Sequence, residues 1–165
     1  MAIADAYIML TYYDEAVHGA LIWQAARAKW WIIVTSVLYS LASAVMIFYA
    51  IQTSPWAFVP VSVFVAFFLW RIYEVHLPVV LATEEWLLVA HGLVWERRGN
   101  AFRVRREYWA VSYKEITGFS HGWTEMYVGA YAEGGLAGIS VPFMLLSAKN
   151  KQKLVSVIEE KQGIK

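Results

Sequence analysis

WWIIVTSVLYSLASAVMIFYAIQTSPWAFVPVSVFVAFFLW, residues 30–70, contains no Asp, Glu, Lys, Arg or His. A helix needs roughly 20 apolar residues to cross a hydrocarbon layer about 30 Å thick, and this stretch holds two such lengths. Trp30 to Ile51 supplies the first. Gln52-Thr53-Ser54-Pro55 is a polar break, with Pro55 suited to the first position of a new helix, and Trp56 to Tyr73 supplies the second. One uninterrupted helix would leave the polar break in mid-span. The aromatic residues divide in the same way. Trp30 and Trp31 open the first span, Trp70 and Tyr73 close the second, and Tyr49 and Trp56 flank the turn, as expected of rings that favour the headgroup level. The reading is a transmembrane hairpin over residues 30–73, with Trp30, Trp31, Trp56, Trp70 and Tyr73 as interface anchors.

The whole chain carries the mark of that stretch. Its 165 residues are 59% hydrophobic and 16% charged, with a mean hydropathy of +0.45, against about 45–50% and 25% in soluble domains. Arg27, Lys29 and Arg71 sit at the open end of the hairpin and the connecting turn is uncharged, so the positive-inside rule expects both termini in the cytoplasm. No cleavable signal is expected, because the apolar stretch begins only at Trp30, behind polar residues. The spans lack the ionisable residue that usually marks a conducting path. Ser36, Ser40 and Ser43 are expected to bond to their own helix. Ser40, Ser43 and Ala44 offer small residues for helix contact, and Pro60 is expected to kink the second span. An anchor is the first expectation, and a small oligomeric pore or transport-associated protein the alternative.

Flanking segments change pattern. Tyr7 to Thr11 reads as a short strand that joins a later sheet, and Asp14 as the N-cap of an amphipathic helix running to Ala28. These make an N-terminal segment over residues 1–29. Residues 74–165 then supply enough chain for one soluble core. Strand-like blocks at 85–90, 93–98, 101–106, 108–113, 116–120, 125–131 and 138–141 are separated by His91-Gly92, Gly99-Asn100, Gly122 and Gly134-Gly135, indicating an antiparallel sheet or partly closed barrel. Ser147 then caps a helix to about Lys161, with Leu154, Val155 and Ile158 on one face. The fold class is an α+β membrane protein whose strands precede one C-terminal helix, the order of pleckstrin-homology-like domains.

The arrangement resembles the bacterial YcxB-like family. Leu10-Thr11-Tyr12-Tyr13-Asp14-Glu15-Ala16 is similar to that family's opening pattern. Val111-Ser112-Tyr113-Lys114-Glu115-Ile116 resembles its W-x-x-I segment, with Tyr113 in the place of Trp, and Ser140-Val141-Pro142-Phe143 followed by Ser147 resembles its I-P-x-x-x-F segment. The resemblance implies a bacterial inner-membrane hairpin carrying a pleckstrin-homology-like domain, and no particular ligand.

Chemistry is sparse. With no cysteine there is no disulfide, thiolate metal site or cysteine nucleophile. His18, His76, His91 and His121 stand apart from one another and from acidic pairs, so they read as surface or interfacial residues rather than metal ligands. Glu84 and Glu85 are adjacent and point to opposite faces of a strand. Gly134-Gly135-x-x-Gly138 lacks the Lys-Ser/Thr of a phosphate loop, and no Gly-x-Ser-x-Gly elbow occurs. No catalytic residue, metal or cofactor is expected, and the protein reads as a non-enzyme. One cluster stands above background: Arg97, Arg98, Arg103, Arg105 and Arg106 around the Gly99-Asn100 turn. It is either a solvated hairpin edge that discourages strand-to-strand association or a contact for anionic phospholipid headgroups. Interleaved Glu96 and Glu107 and alternating aromatics argue against nucleic acid. The expected partners are the bilayer, anionic headgroups and another membrane protein.

Overall fold

The computed structural model describes residues 8–98, 101–132 and 135–163, an α+β chain in two compact units, 27–77 and 1–26 with 78–165. Its elements are β1 (Ile8–Tyr12), α1 (Glu15–His18), β2 (Leu21–Ala25), α2 (Lys29–Thr53), α3 (Phe58–His76), β3 (Val80–Thr83), β4 (Trp86–Arg98), β5 (Ala101–Ser112), β6 (Ile116–His121), β7 (Met126–Ala132), β8 (Gly135–Val141) and α4 (Ala148–Gln162).

The helical unit is the apolar stretch. Its two helices are long and apolar enough to cross a bilayer. Ser54 Oγ accepts from Trp56 N at 3.3 Å and Pro55 begins the short 3₁₀ turn between them. Pro60 falls in the first turn of α3, where its missing N–H costs no helical bond, so the expected source of a kink is absent. Exposure follows a heptad. In α2, Ile32, Ser36, Tyr39, Ser43, Met46 and Ala50 are the less exposed column, and in α3 Val61, Val65, Phe68, Ile72 and Val75. These spacings make a narrow seam of a and d positions, within which Tyr39 stacks on Phe68 at 5.4 Å. The small residues in the seam are Ser36, Ser43 and Ala50, seven apart. Ser40 and Ala44 are exposed, because one further residue turns a side chain about 100° round the helix. Ser43 Oγ donates to Tyr39 O at 2.8 Å as expected, whereas Ser36 Oγ is buried without a hydrogen bond. Outside the seam, Ile33, Val37, Leu41, Val45, Phe48, Val59, Val63 and Phe67 are exposed.

The second unit is built from two antiparallel sheets, β1-β5-β4-β3-β2 and β6-β7-β8. The expected N-terminal strand is β1, which pairs with β5 from Ile8↔Val111 to Tyr12↔Glu107. The helix expected from Asp14 to Ala28 does not form. Asp14 does cap, its Oδ1 accepting from Ala16 N, but α1 is a single turn closed by Gly19 at φ +77°. The chain then runs as β2, whose Leu21-Ile22-Trp23 suits a strand and which pairs with β3 from Leu21↔Thr83 to Ala25↔Val80. Residues 8–26 therefore belong to the sheet unit, and the helical unit is inserted in the β2–β3 connection.

His91-Gly92 is a bulge in one long strand rather than a turn: pairing passes from Ala90↔Tyr108 to Gly92↔Glu107. Blocks 101–106 and 108–113 likewise join as β5. Both faces of β4 are covered where Trp86-Leu87-Leu88-Val89-Ala90 reads as a continuous apolar run. Leu87, Val89 and Val111 share the main core with Met126, Val128, Ile139, Val141, Leu154 and Ile158, so both sheets and α4 meet there. Leu88, Tyr108 and Ala110 form a second cluster with Met9, Tyr13 and Trp86. Ser147 caps α4 by accepting from Asn150 N at 3.3 Å, and Gly163 at φ +67° closes it.

Two variants test this packing. Ser43→Leu should overpack the seam and cost about 1–3 kcal/mol, read as lost helical thermal stability in detergent. Tyr113 is buried in the main core with its hydroxyl unbonded, and burial pushes its phenol above the ordinary tyrosine range. The folded form thus holds that proton more tightly than the unfolded chain, and its contribution to stability is lost as pH rises past about 10. Tyr113→Phe should stabilise the sheet unit by about 1 kcal/mol at neutral pH and make its alkaline decline shallower, as measured by urea unfolding.

Candidate functional site

The five arginines lie on β4 and β5, and strand geometry separates the two whose side chains are described. β1 accompanies β5 only as far as Glu107, and β3 accompanies β4 only as far as Val89. Beyond the bulge, Leu93–Arg98 pairs with Ala101–Arg106 alone among the described residues, making a two-stranded ribbon. Successive residues of a strand alternate in face, so Arg105 and Arg106 stand on opposite sides of the ribbon. Arg105 Nη1 bonds Glu96 Oε2 at 3.4 Å, and its guanidinium lies 4.6 Å from the centre of the Tyr12 ring. The Gly99-Asn100 turn and the side chains of Arg97, Arg98 and Arg103 lie outside the described residues.

The open end of the helical unit holds a latch that charge counting missed. Arg27 Nη1 donates to the Glu74 backbone carbonyl at 2.8 Å and Nη2 lies 3.8 Å from Glu74 Oε1. Arg71 pairs with Glu74 Oε2 one turn away. Arg27 thereby ties the approach to α2 onto the C-terminal end of α3, where a cation also meets the negative pole of the helix. Glu74 following Arg71 by three residues was the available sequence signal. Of the aromatic rings at the helix ends, Trp30, Trp56 and Tyr73 are exposed and Trp31 and Trp70 half-exposed.

His18 corrects an expectation, being 1% exposed rather than a surface residue. Its Nδ1 lies 2.9 Å from Asp14 O, its ring meets Trp86 edge-on at 5.8 Å, and its carbonyl accepts from buried Thr83 Oγ1 at 2.5 Å. These contacts hold α1 against the sheet, a structural role. His91 accepts from Trp109 Nε1 at 3.1 Å beside the bulge. Among the described residues no group of His, Asp and Glu could hold a metal ion.

Another surface escaped the sequence reading. Across the exposed side of α4, Trp23 of β2 faces Lys149, Gln152, Lys153 and Ser156 over an open groove. A neighbouring groove is lined by Phe143, Lys151, Gln152, Val155, Ser156 and Glu159. The lysines at 149, 151 and 153 were readable as a basic run, but nothing local tied them to Trp23, more than a hundred residues away. Comparisons with protein-family models, curated proteins and solved structures give no match.

Glu74→Gln should cost the helical unit about 2 kcal/mol by removing the charged acceptor of Arg27 and Arg71. Glu96→Gln, in an exposed pair, should cost less than about 1 kcal/mol. Thermal unfolding in detergent compares them, and equal losses would show that Glu74 is no latch.

Proposed function

We propose that the chain is a membrane-anchored, non-enzymatic binding or scaffold module, similar in kind to the YcxB-like proteins. The helical unit spans the bacterial inner membrane as a hairpin with both termini in the cytoplasm. The sheet unit is a pleckstrin-homology-like domain that meets anionic phospholipid or another membrane protein. One observation carries this reading. Beyond a narrow seam, α2 and α3 leave apolar residues exposed on their remaining faces. An all-round apolar helix needs either a protein core or a membrane, and the chain's own core does not cover these. Leaving a Val, Leu, Ile or Phe side chain in water instead of burying it forgoes about 1.5–3 kcal/mol.

Two further observations support it. Arg27, Lys29 and Arg71 at the open end satisfy the positive-inside rule, which counts basic residues even where a carboxylate pairs with them. The antiparallel series β2-β3-β4-β5, the series β6-β7-β8 and the closing helix α4 follow the strand-and-helix order of pleckstrin-homology-like domains. The absence of ionisable residues between Trp30 and Trp70 favours an anchor over a pore.

The cysteine-free chain makes the test direct. The protein should stay in the membrane fraction through alkaline carbonate extraction, and Ser54→Cys should react with an impermeant maleimide from outside intact spheroplasts. Release by carbonate would sink the spanning hairpin. Labelling of Ser54→Cys only after lysis would reverse the orientation.

A further inference from the structure

The face of the sheet unit formed by the β6–β7 turn, the N-terminal half of α4 and β2 carries an unusual combination of side chains. Trp123, in that turn, is 95% exposed, a costly setting for the largest apolar side chain. The turn is fastened to the segment before α4 by Met144 N donating to Thr124 O at 2.8 Å, and Met144 is itself exposed. Next to Met144, Phe143 lies under Lys151, whose Nζ is 4.8 Å from the ring centre. Phe143, Lys151, Gln152 and Ser156 line one groove, with Glu159 at its far end from the lysines of the first turns, and Gln152 with Lys149, Lys153 and Trp23 the next. Gln152 and Ser156 line both grooves, so the lysines of α4 lie between Phe143 on one side and Trp23 on the other.

The lysines are poorly placed for helix stability. They occupy the first two turns of α4, no acidic residue lies in its first turn, and the positive pole of the helix disfavours them there. Lys149 and Lys153 are four residues apart, a repulsive spacing for like charges, and neither forms a salt bridge among the described residues. A surface anion would relieve that repulsion. Exposed tryptophan with methionine and flanking lysine is also the composition that seats a protein at a bilayer interface, the rings entering the headgroup boundary and the ammonium groups meeting lipid phosphates.

Tether length bears on which anion is present. Five residues lie between Trp23 and Lys29, where α2 begins, a reach of at most ~22 Å when fully extended. If α2 enters the bilayer, Trp23 is held near its surface.

We infer that the strip Trp123–Met144–Lys151–Lys149–Lys153–Trp23 is a docking surface for the anionic phospholipid headgroups of the bilayer that the chain's own hairpin spans. The inference rests on the spanning reading and goes beyond it by assigning the surface that lies on the lipid. It places that contact on α4 and β2 rather than on the arginine ribbon.

The experiment uses the full chain with Gln152→Cys, at the centre of the strip, in nanodiscs of zwitterionic phosphatidylcholine and in discs enriched in phosphatidylglycerol. The readout is the rate of labelling by a water-soluble maleimide. Labelling should be slower in the anionic discs, and raising salt should remove the difference by shortening the Debye length. Each lysine near such a surface contributes about a fivefold preference. Lys149→Gln with Lys153→Gln should therefore lower the docked-to-free ratio by about thirtyfold, and Trp123→Ala should lower it independently of salt. Equal labelling rates in the two discs overturn the proposal while leaving the spanning reading intact. So does slowing that survives the double lysine variant, which would assign the contact elsewhere. Slowing by soluble glycerol phosphate in the zwitterionic discs would make the ligand a free phosphate and overturn the membrane source. A chain that never enters the discs overturns both readings.

Discussion

The pairing of β2 with β3 is the constraint on which both units depend. It joins Leu21–Ala25 to Val80–Thr83 across an insertion of more than fifty residues, and Val79 N donating to Ala25 O at 2.7 Å continues the pairing beyond the strands. Closing so long a loop costs entropy. The insertion reduces that cost by bringing its own ends together, because Arg27 is bonded to Glu74 at the base of α2 and α3. Strand pairing in one unit and the latch in the other thus require the same chain ends to be close, an agreement between levels that favours one native state.

The same arrangement changes what the N-terminal segment is for. A helix leading into α2 would have made residues 14–28 part of the helical unit. Instead Gly19 stops α1 after one turn, His18 and Thr83 pin that turn to the sheet, and β2 becomes an edge of the five-stranded sheet. Trp23 consequently belongs to the sheet unit, where it faces the lysines of α4.

Charge tells a parallel story. In the basic cluster conspicuous along the chain, 97–106, the pleat of a two-stranded ribbon sets Arg105 and Arg106 on opposite faces, and Arg105 is taken up by Glu96 and Tyr12. A less conspicuous run, Lys149 to Lys153, is gathered by helical spacing beside an aromatic from a distant strand. Density along the chain is a poor guide to density on a surface, because a strand separates neighbours and a helix unites residues three and four apart.

By itself the sequence determined the two helices, the polar turn at 52–55, the antiparallel strands that follow and the capped C-terminal helix. Each rests on local physics: length of apolar run, proline and glycine at breaks, capping by Ser147. It also carried the small residues for helix contact, but the seam took Ser36, Ser43 and Ala50 rather than Ser40 and Ala44, since the neighbouring helix sets which heptad column is covered. Only the tertiary structure decided that β1 and β2 flank a sheet completed after the helical insertion, that His91 sits in a bulge, that Arg27 meets Glu74 and that Trp23 meets α4. Those pairings join residues far apart in sequence, where periodicity and propensity carry no information and only packing and backbone hydrogen bonding choose the partner.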